Sequence, residues 1–193
     1  MPHSTATAPA VVSEPVMLEL VDEAGRTIGT AEKLSAHQSP GRLHRAFSVF
    51  LFDRSGRLLL QRRAHGKYHS PGVWSNTCCG HPYPGEPPFL AATRRTAEEL
   101  GTAPALLREA GTVSYHHRDP ESGLVEREFN HLFAGVVDQD PRPDPAEVTE
   151  TAFVTPEELR RLHAGRPFSV WFRTVLDAAR PAIRELTGAA AGW

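Results

Sequence analysis

Cysteine is scarce: the 193-residue chain has two, Cys78 and Cys79. Being adjacent, they cannot staple distant segments, and they do not form the CxxC of a metal or redox site. A disulfide framework is therefore excluded, and a reducing cytoplasm is the expected compartment. Long hydrophobic runs are also missing. No stretch approaches the roughly 20 apolar residues that span a bilayer. The opening MPHSTATAPAVVSEP has neither the basic n-region nor the long apolar h-region of a signal peptide. Nor is there an excess of one charge: 21 Lys and Arg against 23 Asp and Glu leave a formal net charge of −2. Neither a nucleic-acid nor a membrane partner is expected, since both draw on a basic face. There is no internal repeat. No GxGxxG follows a strand, so neither flavin nor NAD is expected.

What is present suits one domain, long enough to bury roughly 70% of its unfolded surface. Residues 1–15, rich in Ala, Pro, Ser and Thr, are expected to be a disordered tail, 16–187 the folded domain, and 188–193 a flexible C-terminus. Residues 16–21 alternate apolar and polar as a half-buried strand does. Asp22 to Gly25 is a turn signal, and residues 27–32 return. Residues 46–52 and 57–62 flank Asp53-Arg54-Ser55-Gly56 and read as a β-hairpin. Residues 65–88, rich in Gly and Pro, read as a loop whose length points to function. Pro87-Pro88 opens a helix that Gly101 closes, with Phe89, Ala92, Thr96 and Leu100 as its buried stripe. Residues 112–117 and 124–137 read as strands around Asp119-Pro120-Glu121-Ser122-Gly123. Thr155, Pro156 and Glu158 spell a capping box. A last helix covers 170–179 and is interrupted at Pro181. Strands and helices mix without strict βαβ alternation, which predicts an α+β sandwich: a mixed β-sheet flanked by helices.

The most specific motif starts at Gly80: GHPYPGEPPFLAATRRTAEELG. It matches the Nudix box at Gly80, Glu86, Arg94, Glu98, Glu99 and Gly101. Where the box has Glu after its first Arg, this chain has Arg95. A Nudix hydrolase uses the carboxylates of that helix to hold divalent cations around a diphosphate. Arg95 removes one ligand and adds a cation, so a grip on diphosphate survives while metal-assisted hydrolysis is compromised. Directly before the box, Ser75-Asn76-Thr77-Cys78-Cys79-Gly80-His81-Pro82 supplies a thiol and an imidazole that hydrolysis does not need.

Other residues carry weaker signals by themselves. Glu126 and Glu128 share one face of a strand, with Val125, Phe129 and Phe133 on the other, assigned to the core. Two carboxylates about 7 Å apart gain from a shared cation, but alone they read more as a solvated strand face. His37, His44 and His81 follow no zinc-finger spacing. Singly, each reads as a surface or core histidine. Cys79 alone reads as a small buried hydrophobe, and each basic residue as a solvated charge.

Taken together, the segment with Lys33, His37 and His44, the Cys79-Gly80-His81-Pro82 turn, the altered helix, the Glu126–Glu128 strand and Trp171 resemble the type I isopentenyl diphosphate isomerases of the Nudix superfamily. The resemblance runs from about residue 16 to 186. It implies the Nudix-like version of the fold and interconversion of isopentenyl and dimethylallyl diphosphate, by a monomer acting on a small prenyl diphosphate. It maps His37, His44, His81, Glu126 and Glu128 onto the ligands of a divalent ion; three imidazoles beside carboxylates suit Mn²⁺ or Zn²⁺, with Mg²⁺ a further option. Glu99 and the Cys79 carbonyl map onto a second, substrate-associated Mg²⁺. Cys79 and Glu128 become the two proton carriers, Glu128 as acid. Tyr115 becomes a hydrogen-bond partner of Glu128, and Trp171 the ring facing a carbocation. Lys33, Arg63, Lys67 and Arg95 become the cations for the diphosphate. A metal-bound His81 and Arg95 would favour the Cys79 thiolate. Cys78 reads as packing, Trp74 as pocket wall, and Glu86, Arg94 and Glu98 as structural remnants of the box. The chain departs from the pattern at His116-His117-Arg118 and at Glu121, which lengthens a turn. Two rivals remain: a Nudix-type diphosphate hydrolase and a non-catalytic diphosphate-binding module.

Overall fold

The computed structural model describes residues 15–67 and 69–193. The expected tail lies outside the described residues except for Pro15. In chain order come β1 (Met17–Val21), β2 (Thr27–Glu32), α1 (Lys33–His37), β3 (His44–Phe52), β4 (Leu58–Arg63), β5 (Trp74–Ser75) and β6 (Cys78–Gly80). They are followed by α2 (Pro88–Leu100), β7 (Leu106–Arg118), β8 (Val125–Val136), β9 (Val148–Val154), α3 (Pro156–Gly165) and α4 (Phe172–Thr187), with a 3-10 turn at Ala189–Ala191.

β3 organises the sheet. It is apolar along most of its length because both of its faces are covered. Phe47, Val49 and Leu51 pack on one side with Cys78, Ala91, Ala92 and Leu100. Phe50 and Phe52 pack on the other with Leu132, Val175, Ala179 and Ile183. On one edge β3 runs parallel to β8, from His44 opposite Glu128 to Phe52 opposite Val136. On the other it meets β6 antiparallel, with Ser48 opposite Cys79. β7 and β8 form a long antiparallel hairpin.

Several elements differ from the sequence reading. The turn at Asp53 forms, its carboxylate accepting from the Ser55 and Arg57 amides at 2.9 Å. The flanking strands then part after a single pair, Phe52 opposite Leu58, and β4 pairs with β9 instead. Parting lets each strand bury both faces, which a plain hairpin would not. β9 was unforeseen because its Thr-Glu-Thr centre lacks clean alternation. The 65–88 loop contains two short strands, β5 and β6.

α2 starts and stops as expected. Gly101 sits at φ 59°, and a Cβ there would lie 2.5 Å from the Arg142 carbonyl oxygen, so glycine is required twice over. The buried stripe is shifted: Ala91, Ala92, Thr96, Glu99 and Leu100 are buried, while Phe89 is exposed and meets Phe133 only edge-on at 5.8 Å. Small alanines let the helix sit close to the sheet, leaving no room beneath it for a phenyl ring. α4 does not stop at Pro181 but runs through it to Thr187. Val175, Leu176, Ala179 and Ile183 bury one face, and Pro181 lies on the exposed one.

On β8, Val125 and Phe133 are buried as assigned to the core, but the opposite face is interior as well. Phe129 is only half-buried, whereas Glu126, Glu128, Asn130, Leu132 and Ala134 are buried throughout. The carboxylates therefore face the interior. Within 188–193, expected to be flexible, Trp193 is docked. Trp193 is 6% exposed, packs edge-on against Phe52 at 5.3 Å and donates its indole N–H to the Gly56 carbonyl at 2.8 Å.

Candidate active site

The site lies on the β3 face that α4 covers. His44 begins β3 directly opposite Glu128, and His81 follows β6. α1 is short, capped by Glu32, whose carboxylate accepts from the Leu34 and Ser35 amides; its last residue is the buried His37. Two backbone contacts orient the imidazoles. His37 Nδ1 lies 2.7 Å from the Lys33 carbonyl and His44 Nδ1 2.8 Å from the Arg42 carbonyl. A carbonyl only accepts, so both Nδ1 atoms carry the hydrogen and both Nε2 atoms turn a lone pair inward. His44 Nε2 and His81 Nε2 are 3.2 Å apart, and His81 Nε2 is 3.1 Å from Glu128 Oε1.

Ligand atoms of His37, His44, His81 and Glu128 lie within 4.8 Å of one another. Glu126 Oε2 joins them 3.4 Å from His37 Nε2. Among the described residues, His37 Nε2 and Glu126 Oε1 are buried without a hydrogen-bond partner. Inward lone pairs, two carboxylates and unpartnered buried atoms form a donor set that suits a divalent cation.

Glu128 accepts from the Tyr115 hydroxyl at 2.5 Å and the Asn130 amide at 3.0 Å. Burial pushes its carboxyl upward, but the bonds to His44 and His81 outweigh burial and hold it well below the usual range. Burial and the neighbouring Glu128 charge push Glu126 up instead. Burial, then Glu128 and Glu126, keep Tyr115 protonated as a donor, and burial keeps His81 neutral. The protein's own groups act against a Cys79 thiolate. Burial drives its thiol up to about 12; Arg63 opposes this, but Glu99, Glu128 and Glu126 add to it. Cys78, its neighbour, points to the opposite face of the sheet and packs against α2.

A cavity of about 350 Å³ is lined by Cys79, Glu126, Glu128 and Trp171 together with Lys33, Arg63, Lys67 and Arg95. The cations feel one another: burial first, then Lys67, Arg63 and Arg95, lower the Lys33 ammonium. Arg63 stands 5.6 Å over Trp171. Arg95 donates to Glu99 at 2.6 Å and approaches Glu147 at 3.3 Å, which also pairs with Lys67. His37, His44 and Tyr115 sit behind the cavity wall. Trp74 packs in the core and is not a wall of this cavity. Arg94 forks onto Glu86 at 2.9 and 2.8 Å, reaches Glu98 at 3.3 Å and stacks 4.3 Å over Tyr83, tying loop to helix. Tyr115 lies opposite Glu128 in register, so the lengthened turn shifts nothing.

Glu147 and His69 are among the lining residues that escaped the sequence reading. Glu147 precedes the unforeseen β9, and its partners Lys67 and Arg95 are distant in sequence. His69 belongs to no motif. Its imidazole is held down to about 3 by burial, then by Arg63 and His37.

The NUDIX domain profile matches residues 42–172. Isopentenyl-diphosphate Delta-isomerases of Streptomyces griseus and Streptomyces coelicolor are 73% and 71% identical, each pair aligned over 100% of both chains. The chain belongs to the isopentenyl-diphosphate Delta-isomerases of the Nudix superfamily. A more distant isomerase of this family, from Nocardia farcinica, is 50% identical over 89% of this chain and 98% of its own. Among solved structures, a Deinococcus radiodurans protein shares the fold at a TM-score of 0.68 and 22% identity, covering 86% of this chain and 98% of its own. The NUDIX domain of Shewanella oneidensis NrtR, solved with ADP ribose, aligns at a TM-score of 0.56 and 17% identity, over 73% and 87%. No helix among the described residues is long and apolar enough to cross a membrane.

Proposed function

We propose that this chain interconverts isopentenyl and dimethylallyl diphosphate, a step of isoprenoid biosynthesis, acting as a monomer in the cytoplasm. The observation that carries the reading is one cavity in which the half-buried Cys79 thiol and the buried Glu128 carboxylate lie among four cations. Lys33, Arg63, Lys67 and Arg95 take the diphosphate. The reaction protonates the terminal alkene carbon and removes a proton from the carbon two positions away, so the double bond moves by one place. One proton enters, one leaves, and nothing is oxidised.

Cys79 and Glu128 are the two carriers and need one proton between them. By the resemblance Glu128 is the acid and Cys79 exchanges the other proton, with Tyr115 and Asn130 bonded to the Glu128 carboxyl. Each turnover exchanges their states, and the reverse reaction starts from the exchanged pair. The tertiary cation that develops between them requires water to be excluded. The Trp171 face stabilises it by about 2 kcal/mol or more when desolvated.

His37, His44, His81, Glu126 and Glu128 would hold Mn²⁺, Zn²⁺ or Mg²⁺. When bound, such an ion supplies positive charge that fixes the carboxylates and tunes their proton affinity. Glu99 and the Cys79 carbonyl would hold a Mg²⁺ that arrives with the diphosphate. Arg95 disfavours the hydrolase reading, and the thiol paired with Glu128 disfavours a mere binding module, since binding needs neither.

The test is exchange in D₂O. Isopentenyl diphosphate and Mg²⁺ are incubated with the protein and with Cys79→Ala, and products are followed by NMR. Deuterated dimethylallyl diphosphate, absent with the variant, is expected. Cleavage of the diphosphate would select the hydrolase. An unchanged substrate under Mg²⁺, Mn²⁺ and Zn²⁺ would select the binding module.

A further inference from the structure

His69 lies in the segment between β4 and β5, is 7% exposed and lines the cavity. Its ring is flanked by His37, with centroids 5.6 Å apart, and by Trp171 at 6.1 Å. Arg63 Nη2 is 3.4 Å from its Nδ1 and 3.3 Å from its carbonyl oxygen. A guanidinium has only donors, so Nδ1 presents its lone pair and the ring hydrogen sits on Nε2. That Nε2 approaches Glu126 Oε1 at 3.5 Å, a charge contact longer than a hydrogen bond, while the other oxygen, Oε2, is 3.4 Å from His37 Nε2. Glu126 thus lies between two imidazoles that make opposite offers. His37 uses its hydrogen on the Lys33 carbonyl and presents a lone pair; His69 presents a hydrogen.

The segment is strapped so as to keep this aim. Asp119 Oδ2 accepts from the Ser70 amide at 3.2 Å and its hydroxyl at 3.0 Å. Ser70 holds φ 46°, a left-handed conformation that persists in a non-glycine residue only where its surroundings enforce it.

We propose that His69 is a positioning residue: its Nε2–H, 3.5 Å from Glu126 Oε1, steers that carboxylate by its charge, aims Oε2 at the metal, and couples that aim to the diphosphate cation Arg63. The inference rests on the proposed metal centre and extends it by a residue outside the five ligands. A neutral imidazole that donates to a ligating carboxylate fixes its orientation, and losing such an outer partner lowers metal affinity about 10- to 100-fold.

The experiment is a Mn²⁺ titration of the full chain by EPR, for the unmodified protein, Glu126→Gln, His69→Met and His69→Gln. The Gln side chain keeps an N–H donor at the reach of Nε2; Met fills the space without one. His69→Met is expected to weaken Mn²⁺ binding about tenfold or more and alter the spectrum, while His69→Gln stays within about threefold. If the Met variant does not fold, His69→Asn, whose donor falls short of Glu126, takes its place with the same expectation. Equal affinities for the donor-bearing and donor-lacking variants would overturn the role of His69; a weakened Glu126→Gln in that experiment would leave the metal centre standing. Mn²⁺ binding indifferent to Glu126→Gln would overturn the metal centre and this inference with it.

Discussion

Arg95 stands where a hydrolytic Nudix helix carries a carboxylate, and its surroundings explain what the exchange achieves. It lies on the cavity wall, bonded to Glu99 and close to Glu147, beside the other basic residues. A phosphate arriving there would compete with those carboxylates for the guanidinium. Charge-assisted hydrogen bonds contribute about 1.5–3 kcal/mol each, so Arg95→Ala should raise KM for isopentenyl diphosphate about 10- to 100-fold with kcat far less affected. Steady-state kinetics checks this; a fall in kcat at unchanged KM would remove Arg95 from the diphosphate site. The cysteine pair shows how little residue type alone reveals. Cys78 and Cys79 are adjacent, yet strand alternation sends one against α2 and the other into the cavity.

At the scale of elements, the turn between β7 and β8 does more than reverse the chain. Asp119 at its start holds Ser70 and with it the segment bearing His69. Burial pushes the Asp119 carboxyl up, but the Glu121 amide, Ser70 and Ser122 outweigh burial and hold it below its ordinary value. A depressed aspartate contributes stability above its unfolded pKa, roughly 4, that is lost as pH falls through the lower folded value. Asp119→Asn should therefore lower the thermal midpoint at pH 7, and the deficit should shrink as pH drops below about 4. A deficit that does not change with pH would mean that the carboxylate's charge is irrelevant. α4 makes a separate point. The sequence reading ended it at Pro181 because proline lacks the N–H of the helical ladder, yet the buried stripe of Val175, Leu176, Ala179 and Ile183 carries it across. Pro181→Ala should restore a hydrogen bond and remove a steric clash, offset in part by a more flexible unfolded chain. A net gain of about 1–2 kcal/mol is expected, raising the thermal midpoint by at least about 2 °C; no rise would mean the helix already accommodates the ring.

For the whole molecule, closure depends on the last residue. Trp193 packs on Phe52, donates to Gly56, and its carbonyl accepts from Arg184 at 2.5 Å, joining the chain end to the turn after β3. Trp193→Ala should cost about 3 kcal/mol by denaturant unfolding, and a loss below about 0.5 kcal/mol would return residues 188–193 to the flexible tail that composition suggests. What the sequence by itself determined was local or carried by motif. The proline start and glycine stop of α2, the Thr155 cap, the β7–β8 hairpin and the altered box are each set by neighbours a few residues away. The proposed ligand set His37, His44, His81, Glu126 and Glu128 was legible only through family resemblance, because no spacing rule links residues so far apart. The tertiary structure alone decided the rest. Pairing β3 with β8 in parallel brought His44 level with Glu128, and folding α4 over that face buried the carboxylates. Long-range contacts then placed Glu147 beside Lys67 and Arg95, and His69 beside Glu126. Those positions depend on which surfaces are excluded from water together, a property of the packed chain that no single segment carries.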